Sequence, residues 1–487
     1  MNKFLTLLSL MLLGVSAFGQ SDVAPCATPE LSESQRTFLK DFQLNIHEMD
    51  TRAGGATIYV PVKIHLVGKS DGTGFFKLED VFTAMCELNQ HFAPSDIYFY
   101  LYEDINFIKE TTYYNHSFQQ GYQMMNAYKV PNALNMFFVG DPAGACGYYS
   151  PSADAVAIRI SCGGPGNTTI THEVGHYLSL PHTFYGWEGY DHQNPIPLSQ
   201  QEKVNGSNCG STGDGFCDTP PDYLSDRWQC PYNGPTLLDP NGDTVKPDPT
   251  FYMSYSMDHC TNRFSNQQRG AMRAYLLTKK PTMIANLPPS TAQASLVTLV
   301  EPAQFDTTSN YNFIRLSWTK SPEATAYHLR VSRYISYALK EVDMIVTDTS
   351  FVVNNLYPNT TYRWSIKPFS EGNTCGGYTT TKTFYTNDVA IQTGITEEIT
   401  EIKEFYLYPN PMGQGDALNI NISSDKAATG QFEVYSITGS LLFNQPVQLA
   451  GGVNQYQLNI PNLSAGIYIL KYSAPEGNVT KRFVVAE

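Results

Sequence analysis

The sequence has few charged residues and little positive charge. Asp, Glu, Lys and Arg make up 16% of its 487 residues, and 31 basic against 45 acidic residues leave a net charge of −14. So few charges exclude a disordered, highly charged tail protein. Because nucleic acids and anionic membranes select basic surfaces, the acidic balance argues against nucleic acid or such a membrane as the main partner. Glycine and proline, at 36 and 30 residues, are too close to average for a collagenous or low-complexity chain.

Long apolar runs are missing as well. The apolar run at residues 4–15 is shorter than the ~20 residues that a membrane-spanning helix needs, and no later run qualifies. Lys3 precedes this run and small residues follow it, which predicts a secretory signal over residues 1–20 and no transmembrane segment. Export makes the nine cysteines informative, since they can oxidise outside the cytoplasm. Nine is an odd number, so at least one thiol stays free or serves another purpose.

The length corresponds to roughly three domains at ~100–200 residues each. Residues 21–55 are polar, with a helical pattern over 33–49 and a flexible run at 51–55, which predicts a pro-segment ending in a cleavable linker. Strands and helices then alternate to about residue 183, and a loop region leads to a further helix. The expected strands span residues 58–67, 97–102, 134–139 and 155–160, and the expected helices span residues 78–92 and 267–277.

Two β regions follow a Pro-containing linker at residues 286–289. Residues 295–386 show short runs of strand-forming residues without a helical period, which is the pattern of a β-sandwich. These runs span residues 314–318, 326–331, 350–353 and 361–367. Another β unit begins near residue 403, so the expected fold is multidomain, an α/β domain followed by two all-β sandwiches.

One segment carries metal chemistry, Thr171-His172-Glu173-Val174-Gly175-His176-Tyr177-Leu178-Ser179-Leu180-Pro181-His182. In a helix, His172 and His176 lie one turn apart, roughly 6 Å along the axis, and point the same way. Two imidazoles can then bind one zinc ion, while Glu173 can reach a metal-bound water. His182 completes three nitrogen ligands and leaves a fourth position open, as catalysis requires. Chance alone would produce the five-residue pattern on the order of once per hundred such chains, and the third histidine lowers this roughly fifty-fold.

His172 to His182 resembles the metzincin zinc signature, and the run on to Thr183-Phe184 is similar to the pappalysin family of metalloproteases. Two later stretches fit that family. They are Gly213-Asp214-Gly215-Phe216-Cys217-Asp218-Thr219-Pro220, which looks like its Gly-Asp…Asp-Thr-Pro loop, and Tyr252-Met253-Ser254-Tyr255-Ser256, which looks like its methionine turn with Cys260 and Phe264-Ser265 following. The resemblance covers roughly residues 56–285 and implies a metzincin catalytic domain with a twisted mixed sheet and a zinc helix.

The resemblance also implies roles for single residues. Met253 would form the hydrophobic floor beneath the metal, and Tyr255 would hydrogen-bond the oxyanion of the tetrahedral intermediate. Zinc would lower the pKa of its water, and Glu173 would take the proton and pass it to the leaving amine. Asp214 and Thr219 match family positions that bind calcium. The substrate is expected to lie extended against an edge strand, here residues 155–160.

The chain departs from the family at Ser179, where relatives have glycine at the turn toward the third ligand. A left-handed serine there would cost roughly 1–2 kcal/mol relative to glycine, which three zinc bonds can offset. Glu188 is disfavoured as a third ligand because His182 already lies at the metzincin spacing. A calcium-like run at residues 239–243 lacks the later Gly and Glu of an EF-hand, so a plain Asn-Gly turn is favoured.

Four cysteines lie between the zinc helix and the end of the methionine turn, which permits three pairings. They are Cys209, Cys217, Cys230 and Cys260. The resemblance favours Cys230–Cys260, which leaves Cys209–Cys217. Cys146 and Cys162 flank a predicted strand and are expected to pair, whereas Cys86 and Cys375 are expected to be buried free thiols.

Cys26 lies alone in the predicted pro-segment. A thiolate is an excellent zinc ligand, so Cys26 would fill the open zinc position and keep the enzyme latent, with a leftover or wrongly paired thiol as the alternative. Related proenzymes use such a cysteine, usually followed by glycine where this chain has Ala27.

The C-terminal segments show two further resemblances. Residues 316–318, 326–331 and 356–364 resemble the fibronectin type III module, which is expected to be a spacer or adhesive unit. Residues 407–411, 432–439 and 463–470 resemble the C-terminal sorting domain that the type IX secretion system reads. This resemblance implies that machinery as a partner and implies a secreted or cell-surface protein that passes through the periplasm and outer membrane.

The expected function is therefore that of a secreted zinc-dependent endopeptidase acting on proteins or peptides. An adhesin or binding protein on an inactive metzincin scaffold is the alternative, and the presence of Glu173 with all three histidines favours the enzyme. The expected segments are a signal peptide (1–20), a pro-segment (21–55), a catalytic domain (56–285), a fibronectin-like domain (295–386) and a sorting domain (403–487).

Overall fold

The computed structural model describes residues 23–29, 31–45, 55–334, 340–354, 356–390, 401–437, 439–460, 463–475 and 477–485. The expected signal peptide, residues 51–54 of the expected linker and Thr438 lie outside these ranges. The chain divides into two compact units, Met1–Asp388 and Val389–Glu487.

A six-stranded mixed sheet organises the first part of unit 1. The strands in this part of the chain are β1 Ile58–Gly68, β2 Ile97–Leu101, β3 Asn106–Lys109, β4 Asn115–His116, β5 Leu134–Val139, β6 Asp141–Pro142, β7 Gly147–Ser150 and β8 Ala155–Arg159. The order is β2-β1-β5-β8-β7, with β3 pairing the far end of β1, and β4 and β6 form a small separate pair. All pairs in the main sheet are parallel except β7 with β8. The expected strands are therefore confirmed.

The edge of this sheet is β7. The expectation that residues 155–160 form the edge is wrong, because β8 lies between β5 and β7 and uses its backbone groups on both sides. β7 is a short strand that forms an antiparallel hairpin with β8. Its outer backbone groups are therefore the ones available to another segment.

Helices connect the strands and pack against both faces of the sheet. They are α1 Glu33–Leu44, α2 Leu78–Phe92, α3 Thr111–Tyr114, α4 Phe118–Tyr128, α5 Thr169–Tyr177 and α6 Asn266–Lys279, with short 3₁₀ turns at Ala93–Ser95 and Ile160–Cys162. Helices α1, α4 and α6 each begin with a serine capping box, at Ser32, Ser117 and Ser265. The expected apolar face of α2 is buried in the main core.

The second part of unit 1 is an all-β module. Its strands are β9 Leu299–Glu301, β10 Asp306–Thr307, β11 Phe313–Trp318, β12 Ala326–Arg333, β13 Lys340–Val346, β14 Ser350–Asn354, β15 Thr361–Phe369 and β16 Lys382–Tyr385. They form two sheets, β10-β16-β15-β12-β13 and β14-β11-β9. Trp318 and Trp364, one from each sheet, share a core between the two layers. This is the expected sandwich.

The β module is covalently linked to the first part of unit 1. Cys86 on α2 and Cys375 after β15 form a disulfide, so the expectation of two free thiols is wrong. The rings of Phe82 and Phe369 lie 4.6 Å apart, and the Leu101 amide donates to the Glu371 carbonyl at 2.8 Å. The free-thiol expectation treated the two domains as separate, whereas their shared core brings the cysteines together.

Unit 2 is all-β. Its strands are β17 Ile402–Tyr408, β18 Leu418–Ser424, β19 Ala428–Ser436, β20 Leu441–Leu449, β21 Gly452–Leu458, β22 Gly466–Ala474 and β23 Gly477–Val485. They form the sheets β17-β18-β21 and β20-β19-β22-β23, which enclose one apolar cluster. Alternate residues of β18 are buried, as a strand with one face on a core requires.

Candidate metal centre

Three histidines converge at the C-terminal end of α5. His172 and His176 project from successive turns of this helix, and His182 returns to them after the helix ends. The Nε2 atom of His176 lies 3.1 Å from the Nε2 atoms of both His172 and His182. All three rings are buried. The structure thus brings together the three predicted zinc ligands.

The opposite ring nitrogens fix the protonation of these histidines. The Nδ1 atom of His172 donates to the Tyr252 carbonyl at 2.7 Å, and that of His176 donates to the Leu180 carbonyl at 2.8 Å. The partner of His182 Nδ1 is a Glu188 carboxylate oxygen, at 3.0 Å. Because these oxygens only accept, each Nδ1 carries the ring proton.

The Nε2 atoms therefore present three lone pairs to one another. No hydrogen bond among them satisfies such an arrangement, whereas a metal cation does. Burial, followed by the charge of His182, lowers the pKa of His172 to about 3, which keeps that ring in its neutral, ligating form. Glu188 binds the Nδ1 side of the His182 ring, the side opposite the three Nε2 atoms.

Cys26 lies beside the three histidines. One ligand atom from each of Cys26, His172, His176 and His182 lies within 4.8 Å of the others. Cys26 is buried, and it is the free cysteine of the described part of the chain, since the expected pairs 146–162, 209–217 and 230–260 are all disulfides. Burial and then the charge of Glu173 raise the pKa of the Cys26 thiol well above its ordinary value. Three nitrogens and one sulfur are a ligand set that zinc accepts.

Residues 23–29, called here the N-terminal segment, hold Cys26 in place. The segment runs parallel to the edge strand, with a bridge between Ala24 and Ala145. The Ala27 amide donates to the Gly147 carbonyl at 3.0 Å, and the Tyr149 amide donates to the Thr28 hydroxyl at 2.8 Å. The N-terminal segment therefore occupies the free edge of the sheet beside the histidines.

Glu173 is buried between the edge strand and the N-terminal segment. Its Oε2 atom accepts a hydrogen bond from the Thr28 hydroxyl at 2.7 Å, whereas Oε1 has no partner among the residues that the structure describes. Burial raises the pKa of Glu173 to about 7, although the hydrogen bond from Thr28 lowers it in part. A Cβ atom on Gly147 would lie 2.9 Å from the Glu173 side chain, so the edge strand approaches the carboxylate closely only because residue 147 is glycine.

Met253 packs against α5, and Tyr255 packs against the histidines. Met253 is fully buried, and a Cβ atom on Gly175 would lie only 2.4 Å from its sulfur, so the glycine between the two α5 histidines accommodates this methionine. The Tyr255 ring lies 4.9 Å from that of His182, and its hydroxyl donates to the Cys26 carbonyl at 3.1 Å. Tyr255 therefore reaches both the ligand cluster and the N-terminal segment.

Ser179 has φ of +78°, the left-handed conformation expected there. The turn satisfies the last carbonyls of α5, because the Leu180 amide donates to Gly175 and the Ser179 amide donates to His176. These two hydrogen bonds orient the Leu180 carbonyl toward the His176 ring, whose Nδ1 atom donates to it. The Ser179 hydroxyl is buried and has no hydrogen-bond partner within the described ranges.

Replacing Ser179 with glycine should raise the free energy of unfolding by about 1–2 kcal/mol, since it removes the cost of a left-handed side chain and a buried unpaired hydroxyl. Thermal unfolding of the metal-free protein measures this, and Ser179→Ala is the matched control. Alanine removes the hydroxyl but keeps the Cβ, so it should recover only part of the gain. An unfolding temperature for Ser179→Gly at or below that of the parent would contradict the assigned strain.

Asp214 and Thr219, the predicted calcium residues, form part of a buried acidic cluster. The Thr219 hydroxyl lies 2.9 Å from one Asp214 carboxylate oxygen and 3.0 Å from the other. Glu202 and Asp222 are also buried here, and sequence reasoning missed both. Burial, then the charges of Asp214 and Asp222, raise the pKa of Glu202 to about 9, and burial raises that of Asp214 to about 8. Neither Glu202 nor Asp222 stands in a sequence motif that would identify it as a site residue. The cluster forms only when the loop folds.

Residues 239–243 form the favoured turn. Gly242 has a positive φ, and Asp239 accepts hydrogen bonds from the amides of Asn241 and Asp243. These bonds use the carboxylate oxygens that a cation would need.

Comparison with known proteins identifies the region around this centre. The family model described as pregnancy-associated plasma protein-A matches residues 161–277, which include the histidines, the acidic loop and the methionine turn. Residues 161–277 are therefore similar to this metalloprotease family. An extracellular metalloprotease of Colletotrichum graminicola is 29% identical to the chain over 247 residues, which are 46% of this chain and 78% of that protein. Extracellular metalloprotease 1 of Coccidioides posadasii is 29% identical over 236 residues, with 44% and 75% covered.

Among solved structures, mature mirolysin of Tannerella forsythia in complex with a cleaved peptide is 21% identical to this chain. The match has a TM-score of 0.34 and covers 48% of this chain and 97% of mirolysin. The fibronectin type III domain of human contactin 1 is 17% identical, with a TM-score of 0.17 and with 23% and 88% covered.

The model described as a secretion system C-terminal sorting domain matches residues 406–486. Together with the extracellular relatives, this domain places the metalloprotease outside the cell or on its surface. In the part of the chain that the structure describes, no helix combines the length and apolar character needed to span a membrane.

Proposed function

We propose that the chain is a latent zinc-dependent endopeptidase whose metal is held by His172, His176 and His182. The convergence of three Nε2 lone pairs, each set by a hydrogen bond at the opposite Nδ1, carries this proposal. Zinc, when bound, supplies a Lewis acid that polarises the scissile carbonyl and lowers the pKa of a water molecule. The protein supplies the remaining chemistry.

Glu173 acts as general base and then as general acid. Its carboxylate lies beside the ligand cluster and is buried, so burial favours its neutral form and proton uptake costs less than it would in water. It would accept a proton from the attacking water and return it to the leaving amine. Tyr255 would donate its hydroxyl proton in a hydrogen bond to the developing oxyanion, in the way that it now donates to the Cys26 carbonyl.

The N-terminal segment maintains latency in this proposal because it occupies each of these groups. Cys26 takes the fourth ligand position, Thr28 binds Glu173, and the Cys26 carbonyl binds Tyr255. Cleavage of peptide bonds then requires that the segment leave the edge strand β7, where a substrate backbone would replace it.

Helix α1 anchors the proposed pro-segment at a second site. Phe38, Leu39 and Phe42 are buried in the main core, and the Gln35 amide group donates to the His176 carbonyl at 3.1 Å. Residues 51–55, predicted from the sequence to be a cleavable linker, are the proposed cleavage region. The domain boundaries proposed from the sequence, at residues 55/56, 285/295 and 386/403, complete this organisation.

The acidic cluster is a proposed calcium site. Glu202, Asp214 and Asp222 bring three buried carboxylates together, and the charges acting on Glu202 come from the other two. Calcium prefers oxygen ligands, and the Thr219 hydroxyl adds another. Burial raises the pKa values of Glu202 and Asp214, and repulsion between the carboxylates adds to that rise, which a bound cation would offset.

Metal removal tests both sites. Chelation should abolish proteolysis by the processed enzyme, and one equivalent of zinc per chain should restore it. Calcium added without zinc should leave activity absent but raise the unfolding temperature, and this rise should vanish in an Asp214→Asn variant. Proteolysis that persists in metal-free protein would overturn the zinc proposal, whereas an equal calcium effect in both proteins would overturn only the calcium site.

A further inference from the structure

An open groove of about 540 Å³ adjoins the edge strand on the side of α4. Phe118 and Tyr122 of α4 and Tyr148 and Ser150 of β7 form one part of its lining, and Ala27 and Pro29 of the N-terminal segment form another. We call it the aromatic groove. It begins within a few residues of Gly147, the point at which the edge strand contacts Glu173.

Side chains of β7 alternate between two faces of the sheet. On one face, Gly147 approaches Glu173 and the Tyr149 ring packs 5.7 Å from that of Tyr177. On the other face, Tyr148 packs 5.2 Å from the ring of Phe118. A chain bound along β7 therefore directs some of its side chains toward α4, and thus into the aromatic groove.

The N-terminal segment already follows this path. The Ala27 amide binds the Gly147 carbonyl, and the Ala27 methyl group packs against the apolar cluster that contains Tyr148. A methyl group fills little of the space. Phe118 and Tyr122 remain 49% and 46% exposed with the N-terminal segment in place. These two rings of the aromatic groove therefore keep apolar surface that a larger side chain would bury.

We propose that the aromatic groove is a substrate subsite that takes an aromatic or long aliphatic side chain, at one substrate position beside the cleaved bond. This rests on the proposed function, because the substrate must lie along β7 for its side chain to enter the groove. Phe118 and Tyr122 are the specificity residues, and Ala27 marks the position from which the substrate side chain enters.

The first test uses the intact chain and needs no catalysis. Ala27→Phe should fill the groove and raise the unfolding temperature by about 2 °C. The gain should disappear in a Phe118→Ala/Tyr122→Ala background. It should persist in a Tyr128→Ala background, because Tyr128 is a similarly exposed residue of the same helix that does not line the groove. An equal gain in all three backgrounds, or no gain in any, would overturn the proposal.

The second test is a peptide library digested by the secreted, processed enzyme, with cleavage sites read by mass spectrometry. Wild type and Tyr128→Ala should prefer Phe, Tyr or Leu at one position. The Phe118→Ala/Tyr122→Ala enzyme should lose about tenfold in kcat/KM for those peptides, while peptides with Ala at that position keep their rate. Identical profiles for all three enzymes would overturn the subsite alone. A wild type that cleaves nothing would overturn the proposed function, and the subsite with it.

Discussion

Glu173→Gln should lower kcat about 10²–10⁴-fold while the protein keeps one zinc ion per chain. The substitution preserves size and hydrogen bonding to Thr28 but removes the group that accepts and returns the proton, a role worth about 10²–10⁴-fold. The variant is made in a Cys26→Ala background, so that latency does not hide the loss. Casein cleavage and metal content measured on the same preparation give the result.

Glu188→Gln in the same background is the matched control. Glu188 accepts the Nδ1 hydrogen bond of His182, so its loss should weaken metal binding about 10–100-fold, and excess zinc should restore activity. Excess zinc should not restore the activity of the Glu173→Gln variant. If Glu173→Gln retains activity within tenfold of the parent, or regains it with zinc, Glu173 is not the proton acceptor.

The contrast between these two glutamates shows what the sequence could predict about the site. His172, Glu173 and His176 are close in sequence and share a helix, so helical geometry alone places them together. The left-handed turn at Ser179 was expected from the resemblance to the pappalysin family, which has glycine at this position. The role of Glu188 depends on how the loop after His182 folds back, and spacing in the sequence does not determine this.

Pairings between residues far apart in the sequence were the harder part of the fold to predict. The strands and the three disulfides near the metalloprotease motifs agree with expectation, since flanking turns and ordered motifs mark them. Cys86 and Cys375 are separated by 289 residues, and their pairing depends on the β module docking against α2. The edge strand was also misplaced, because strand order depends on connections that local patterns leave open.

The docked β module changes how the proposed endopeptidase is best described. Phe369 of the module belongs to the same apolar cluster as the strands and α5 of the catalytic part. Through Phe82 and the Cys86 disulfide, α2 joins that cluster to the module. The module is therefore part of the framework that holds the zinc helix, which the expectation of a spacer or adhesive unit did not include.

Latency combines local chemistry with such long-range contacts. Removing Cys26 takes away the fourth ligand, yet the hydrogen bonds to Gly147 and Tyr149 and the burial of α1 remain. A Cys26→Ala proenzyme should therefore open transiently and show activity without full release of the segment. Loss of one ligand worth at least ~1.4 kcal/mol corresponds to a rise in activity of about tenfold or more.

The measurement is cleavage of a short peptide by the intact Cys26→Ala chain, with mass spectrometry confirming that the linker at residues 51–55 is uncut. Thr28→Val is the matched comparison, since it removes the hydrogen bond to Glu173 but leaves the thiol at the histidines. Its rise in activity should be the smaller one, because a buried thiolate on a metal holds more strongly than a single hydroxyl hydrogen bond. If Cys26→Ala stays as silent as the parent, backbone pairing to β7 and the docking of α1 are sufficient for latency, and Cys26 is not the switch.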